Sequence, residues 1–412
     1  MTGTTAPPRA SKGHRAGTHR TVSPEETLRR ILPVIGAMGI TRVANVTGLD
    51  VIGLPVVAVT RPNSRSISVA QGKGLDLAAA KVSGIMESIE NYHAERIQKP
   101  LVFASWRSLA ARGPTLDLSR LPRLAGSALH PDDRMLWIEG HDALGRKRVM
   151  LPFELVHTDY VVPLPTGSGA FQMSDSGIAS GNHPLEAMSH GICELVERDA
   201  VTLWHFLDAP AKQSRRVDLG TVDDPSCRFV LDAFAQASVG VAVWDVTSDL
   251  GIASFFCTLI EPLNAWRPLG PASGSGCHPS REVALLRALT EAAQTRLTVI
   301  AGARDDVGLT KYAQAADGNR LVEAHRLFNL TPERRFDSIG TFNSDSFEDD
   351  LAWELGRLRS AGIDEVAVVD LTLPEFEIPV VRVVIPGLEG MSDVPGFTPG
   401  ARLKCLAAEG QA

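Results

Sequence analysis

Two pairs of glutamates, Glu87 with Glu90 and Glu194 with Glu197, repeat along this 412-residue chain at an offset of 107 residues. Each leading glutamate stands 13 residues after a glycine, Gly74 or Gly181. A third segment from Gly276 to Glu291 and Gln294 has two extra residues before its Glu and a Gln in place of the second one. An alanine precedes each leading glutamate by seven: Ala80, Ala187 and Ala284. Residues at i and i+3 share one helix face, about 5–6 Å apart at Cβ, so each pair concentrates two carboxylates on one patch. The neighbours are apolar: Ile85, Met86 and Ile89 in the first copy, Ile192, Leu195 and Val196 in the second. Carboxylates in such company are partly desolvated, and converging ones repel unless cations lie between them. Oxygen ligands without His or Cys suit Mg²⁺, which keeps waters and bridges to phosphates. The ligand predicted for the set is a Mg–nucleotide. The competing reading is a solvated helix face whose acids pair with bases such as Arg96 and Arg198.

Three helices must carry these pairs, and the apolar spacing predicts them over residues 77–96, 184–207 and 280–301. Gly72-Lys73-Gly74 and Ser273-Gly274-Ser275-Gly276 read as turns ahead of two of them, with helix N-termini that favour phosphate through unpaired N–H groups. His190 lies four residues before Glu194 on the same face, and it either touches the site or is a satisfied helix histidine. The basic leader from Lys12 to Arg20 either folds over phosphates or is a solvated tail. Ser23-Pro24-Glu25-Glu26 opens a first helix, continued by apolar spacing to Met38. Strands are expected at 42–46, 54–60, 66–69, 135–138, 148–151, 239–245, 253–260, 365–371 and 380–385, and further helices at 224–237 and 345–361. Residues 99–135 read as a connecting excursion. No low-complexity linker cuts the chain, so the expectation is an α/β fold: a basic, partly flexible leader over 1–22, then one domain over 23–412 with a tail from about residue 390.

Composition narrows the function classes. With 44% hydrophobic and 22% charged residues the chain is not disordered in bulk. A net charge of −7 argues against a general nucleic-acid binder. Five scattered cysteines with no CxxC spacing support neither a disulfide framework nor a zinc ribbon, and they suit a reducing compartment. No apolar run approaches a membrane span and the leader has no apolar region for a signal peptide, so a cytoplasmic protein is expected. There is no P-loop, no well-placed GxGxxG and no GxSxG elbow, so any ATP site is of an uncommon kind.

The segments Ser83 to Glu90, His190 to Ala200 and Arg287 to Arg296 resemble, in order, the three nucleotide-binding motifs of the YcaO family, and the similarity extends over roughly residues 12–390. The leader HRAGTHR, the stretch RPNSRSISVAQGKG and the segment Gly302 to Asp306 resemble more narrowly the stand-alone members found with TfuA partners. The resemblance implies a YcaO-like fold of quasi-repeated turn–helix and strand units around an ATP site. It implies an enzyme that uses ATP and Mg²⁺ to phosphorylate a backbone amide oxygen of a peptide or protein. Glu87, Glu90, Glu194 and Glu197 would hold Mg²⁺. Ser83, His190, Glu291 and Gln294 would contact the nucleotide, Lys12 a phosphate, and Arg198 and Arg296 would ion-pair or meet phosphate.

In the TfuA-associated branch the nucleophile is a sulfide equivalent, so the implied product is a thioamide and the implied partners are a TfuA-like protein, a sulfur donor and a second copy in a homodimer. Azoline-forming members commonly end in Pro-x-Pro-x-Pro, whereas this sequence ends Gly396-Phe397-Thr398-Pro399-Gly400 and runs on to Ala412. That ending favours thioamidation over cyclodehydration of Cys, Ser or Thr. The sequence also has no obvious leader-peptide recognition domain, so substrate delivery is expected to depend on another protein. A nucleotide-binding accessory without turnover is the reading from another class.

Overall fold

The computed structural model describes residues 9–261, 269–304 and 318–409. Its helices are α1 (Pro24–Ile31), α2 (Leu77–Ala94), α3 (Trp106–Ala110), α4 (Pro184–His205), α5 (Ala209–Ser214), α6 (Pro225–Gln236), α7 (Arg281–Ala301), α8 (Gly318–Phe328), α9 (Phe347–Ser360) and α10 (Ala401–Glu409). Strands β1 (Arg42–Asn45), β2 (Val56–Thr60) and β3 (Val69–Lys73) form one antiparallel sheet. A six-stranded sheet runs β4 (Leu101–Ser105), β5 (Arg134–Asp142), β13 (Ala367–Asp370), β14 (Val380–Val384), β7 (Ile178–Ser180), with β6 (Lys147–Pro152) also on β5. A third sheet joins β9 (Gly240–Asp245), β10 (Ser254–Ile260) and β11 (Ala272–Cys277), and the short β8 (Val217–Asp218) pairs with β12 (Arg334–Arg335). The expected α/β class is what the chain adopts.

Each glutamate-bearing helix follows an edge strand of a different sheet: β3 leads to α2, β7 to α4 and β11 to α7. The units close into a ring, because α2 also packs on β7, α4 on β11 and α7 on β3. The glycines and alanines of the repeat make this packing possible. A Cβ on Gly72 would stand 2.0 Å from the Ala80 carbonyl oxygen, and one on Gly276 would stand 2.1 Å from that of Ala284. Ala80, Ala187 and Ala284 are fully buried where strand and helix meet.

Several expectations are corrected. The glycine-rich stretches before α2 and α7 are strands rather than turns, since glycine serves close approach of backbones as well as reversal. The N-termini of those helices are spent on their own caps: Asp76 accepts from Ala79 N–H at 2.8 Å and Ser280 from Val283 N–H at 3.5 Å. The first helix ends at Ile31, short of Met38, because Pro33 and Gly36 interrupt it. The strand expected at 66–69 begins only at Val69. Ser64 and Ser66 donate to the buried Glu95, which also binds Arg61, so their polarity holds a turn. The excursion over 99–135 contains β4 and α3, and the proline-rich tail ends in α10. Among the described residues no helix is long and apolar enough to cross a membrane.

The described part of the leader is pinned down. Ser11 bridges Ser346, and Lys12 lies fully buried with its Nζ 2.6 Å from Asp350 of α9. Four cysteines are buried, Cys405 is exposed, and all five are free thiols.

Candidate functional site

The ring places a carboxylate of each helix against the strand of the next unit: the second of its pair in α2 and α4, the leading one in α7. Ser180, the last residue of β7, donates to Glu90 from its hydroxyl at 2.6 Å and its N–H at 2.8 Å. Ser275 of β11 donates to Glu197 at 2.7 Å. In the third unit Lys73 of β3 meets Glu291 of α7 at 2.7 Å. Ser180 and Lys73 each stand 14 residues before the leading glutamate of their own unit, so they are equivalent positions at which a hydroxyl is exchanged for a cation, whereas Ser275 stands 16 before Glu291.

Around this ring the charges are unequal. Glu194 accepts from Gly177 N–H at 3.1 Å, and Arg198 reaches Glu194 at 3.4 Å and Glu197 at 3.2 Å. Burial pushes the Glu87 carboxyl up to about 7, against the pull of Arg304 and Lys73. Burial and the nearby Glu87 and Glu194 push Glu90 up to about 8, with the Ser180 bonds opposing. Glu194 is likewise raised by burial. Burial also disfavours the Glu291 carboxylate, but Lys73 and Arg198 outweigh it and hold that group low. Water still reaches the cluster, since Glu194 and Glu291 keep 20% and 26% of their side-chain surface exposed. Three carboxyls that resist ionisation beside one that is fully ionised make a site short of positive charge on one side.

A cationic side faces it. Arg287 lies 2.9 Å from Nε2 of His190, whose pKa falls well below the ordinary value through burial and then through Arg287, Arg20 and Lys73. Burial and these cations thus favour the neutral form of His190, which is held beside Arg287. Ser83, His190 and Arg287 occupy equivalent positions, four residues before each leading glutamate, on the same face as the glutamates. Ser83 and Gln294 are half-buried there.

Two expected residues are engaged in ion pairs. Lys12 is held by Asp350, and Arg296 is spent on Asp50 at 2.9 Å and Glu261 at 2.7 Å, which is the ion-pairing role. Residues not singled out as site residues join it: Lys73, Arg287, Ser180 and Ser275. Their signal was in the repeat, because each occupies a position fixed relative to a glycine or a glutamate. Of the segment 302–306, Asp305 and Asp306 lie outside the described residues.

The donor set fits a divalent cation carried with a nucleotide. Among the described residues no three acidic, His or Cys side chains close a ready-made metal cage. Mg²⁺ takes one or two carboxylates and completes its shell with water and phosphate oxygens, and the paired glutamates offer such carboxylates.

Fold and site together define a protein that gathers paired carboxylates and basic groups from three strand–helix units. The chain belongs to the YcaO family: residues 71–389 match the model of the YcaO cyclodehydratase domain, described as ATP- and Mg²⁺-binding. ATP and Mg²⁺ are accordingly its cofactors. It is 35% identical, over 92% of its length and 91% of the relative's, to an uncharacterized protein in the tfuA 3′ region of Rhizobium leguminosarum bv. trifolii. It is 32% identical, over 91% of its length and 96% of the relative's, to an uncharacterized protein of Methanothermobacter thermautotrophicus. Its fold resembles YcaO from Methanopyrus kandleri bound with AMPPCP and Mg²⁺, at a TM-score of 0.74 and 23% identity over 95% of this chain and 99% of that one. It also resembles a heterocyclase in complex with substrate and cofactor, at 0.79 and 21% identity, covering 99% of this chain but 57% of the heterocyclase.

Proposed function

We propose that this protein uses Mg–ATP to phosphorylate the oxygen of a peptide-backbone amide, and that a sulfide equivalent then adds at the amide carbon and displaces phosphate, leaving a thioamide. The oxygen departs with the phosphate and sulfur takes its place. ATP supplies the leaving group, because an amide oxygen by itself is a poor one. The observation that supports the reading is the ring of three strand–helix units, in which Glu90 meets Ser180, Glu197 meets Ser275 and Glu291 meets Lys73, with Arg198 beside Glu194 and Glu197.

In this reading Glu87, Glu90, Glu194 and Glu197 hold Mg²⁺, while Ser83, His190, Glu291 and Gln294 contact the nucleotide. Arg198 sits between Glu194 and Glu197 and balances their charge. Catalysis then rests on positioning and charge neutralisation, as in phosphoryl transfers generally. A TfuA-like protein supplies or releases the sulfur, a reading supported by the tfuA-region name of the Rhizobium relative. The working unit is a homodimer.

The test begins with calorimetric titration of Mg–ATP into wild type and Glu90→Gln, followed by a search, with a TfuA-like protein and a sulfur donor present, for a peptide that gains about 16 Da by O-to-S exchange. Binding that the variant loses supports the site. A product that instead loses water, and only beside Cys, Ser or Thr, would replace thioamidation by azoline formation. Partner binding without any phosphate release would make the protein an accessory.

A further inference from the structure

A second set of polar groups adjoins the carboxylates. Arg382, in the middle of β14, is 4% exposed; its Nη1 donates to the Ser174 carbonyl at 2.8 Å, and its Nε has no hydrogen-bond partner among the described residues. Ser174 immediately precedes the turn Asp175–Ile178, within which the Gly177 N–H binds Glu194. Arg382 and Glu194 therefore hold the segment Ser174 to Gly177 at its two ends. Asp175 within it is exposed and lies in electrostatic reach of Glu87, Glu194 and Arg382.

Tyr160 and His157 complete the group, both in electrostatic reach of Arg382. His157 is 2% exposed and stacks on Phe153 with ring centres 4.6 Å apart. Its Nδ1 accepts from Asp159 N–H at 3.2 Å, which puts the proton of the neutral ring on Nε2, and that atom has no partner among the described residues. A cavity of about 480 Å³ adjoins His157 and is lined by Phe153 and Asp159 together with Arg65, Glu95 and Arg96, a lining of both charge signs. Val161 and Val162 of the adjoining loop are 56% and 80% exposed.

A buried guanidinium and a buried imidazole with spare N–H groups are costly unless something accepts from them. The charge pattern says what that is. A free anion would meet Asp175 and Glu194, and a free cation would meet Arg382. A neutral group that both accepts and donates meets neither penalty, and an extended peptide offers C=O and N–H in alternation. Resting on the function proposed above, we infer that Arg382, His157, Tyr160 and Asp175 form the seat of the substrate backbone: the N–H and O–H donors take peptide carbonyls, Asp175 takes a peptide N–H, and the Val161–Val162 loop covers flanking side chains. The turn shared with Glu194 then brings the bound amide beside the metal-binding carboxylates.

The probe is acetyl-tetra-alanine amide, followed by saturation-transfer NMR on the whole protein with Mg–AMPPCP present, with calorimetric Mg–AMPPCP titration on the same samples. Wild type is expected to show peptide signals, and Arg382→Met and Tyr160→Phe each to weaken binding about fivefold or more, the loss of one hydrogen bond. If Arg382→Met does not fold, Tyr160→Phe and Asp175→Asn carry the comparison. Wild type that binds the nucleotide but gives no peptide signal, or variants that bind peptide as wild type does, would overturn the seat. A wild type that binds no nucleotide would sink the function proposed above instead, which the calorimetry reads separately.

Discussion

Lys73, the last residue of β3, holds its Nζ 2.7 Å from Glu291 of α7, a residue 218 positions away. The pair closes the ring of three units with an ion pair where the other two junctions use a serine hydroxyl. The Glu291 carboxyl is held low against its burial, and Lys73 is the strongest reason. Replacing Lys73 by Met should free Glu291 toward ordinary titration and suppress ATP turnover. Phosphate-release assays should read the loss, and Lys73→Arg should restore part of it. Full turnover by Lys73→Met would take the residue out of the site.

The carboxylates should not tolerate isosteric neutralisation. Glu90→Gln and Glu194→Gln each remove a charge with little change of volume, so ATP turnover should vanish while circular dichroism stays that of wild type. Normal turnover in either variant would remove that residue from the metal set.

Glu87 and Glu90, raised to about 7 and about 8, give a pH signature. Their folded-state pKa values lie above those of the unfolded chain, so between about pH 4.5 and 8 the native state holds more protons, and these groups stabilise the metal-free fold less as pH rises. Thermal midpoints of metal-free protein should therefore decline over that interval, and Glu90→Gln should flatten the decline. Mg²⁺ must displace these protons, so its affinity should increase with pH over the same range. A Mg²⁺ affinity unchanged between pH 6 and 8 would contradict the assignment.

The repeat glycines should be intolerant where they meet backbone. A Cβ on Gly276 would stand 2.1 Å from the Ala284 oxygen and 2.7 Å from the Ala288 nitrogen, atoms that cannot swing away. Gly276→Ala should cost about 3 kcal/mol or more in urea unfolding. Gly340→Ala, with nothing within 4 Å of the new carbon, is the control. Equal midpoints would mean that α7 can back off its strand.

Lys12 and Asp350 are both fully buried, so Lys12→Met should leave an unpaired carboxylate and cost about 3–5 kcal/mol. Adding Asp350→Leu should recover most of that. A Lys12→Met protein of unchanged stability but weakened ATP affinity would return Lys12 to the phosphate.

The glutamate pairs, their helices and the spacing of glycine and alanine ahead of them were legible in the sequence, because i and i+3 define a helix face without reference to anything else. The leading and second glutamates, His190 and Arg198 lie together as that spacing required. Whether the glycines made turns or strands was not legible, since reversal and close packing both select a residue without a side chain. Nor could local spacing show what stands opposite a helix face. That Ser180 meets Glu90, that Arg287 meets His190 and that Lys12 turns to Asp350 depends on the ring order in which edge strands of three sheets dock on the next helix. Only the packed chain decides that order, because it is fixed by contacts between segments far apart in sequence.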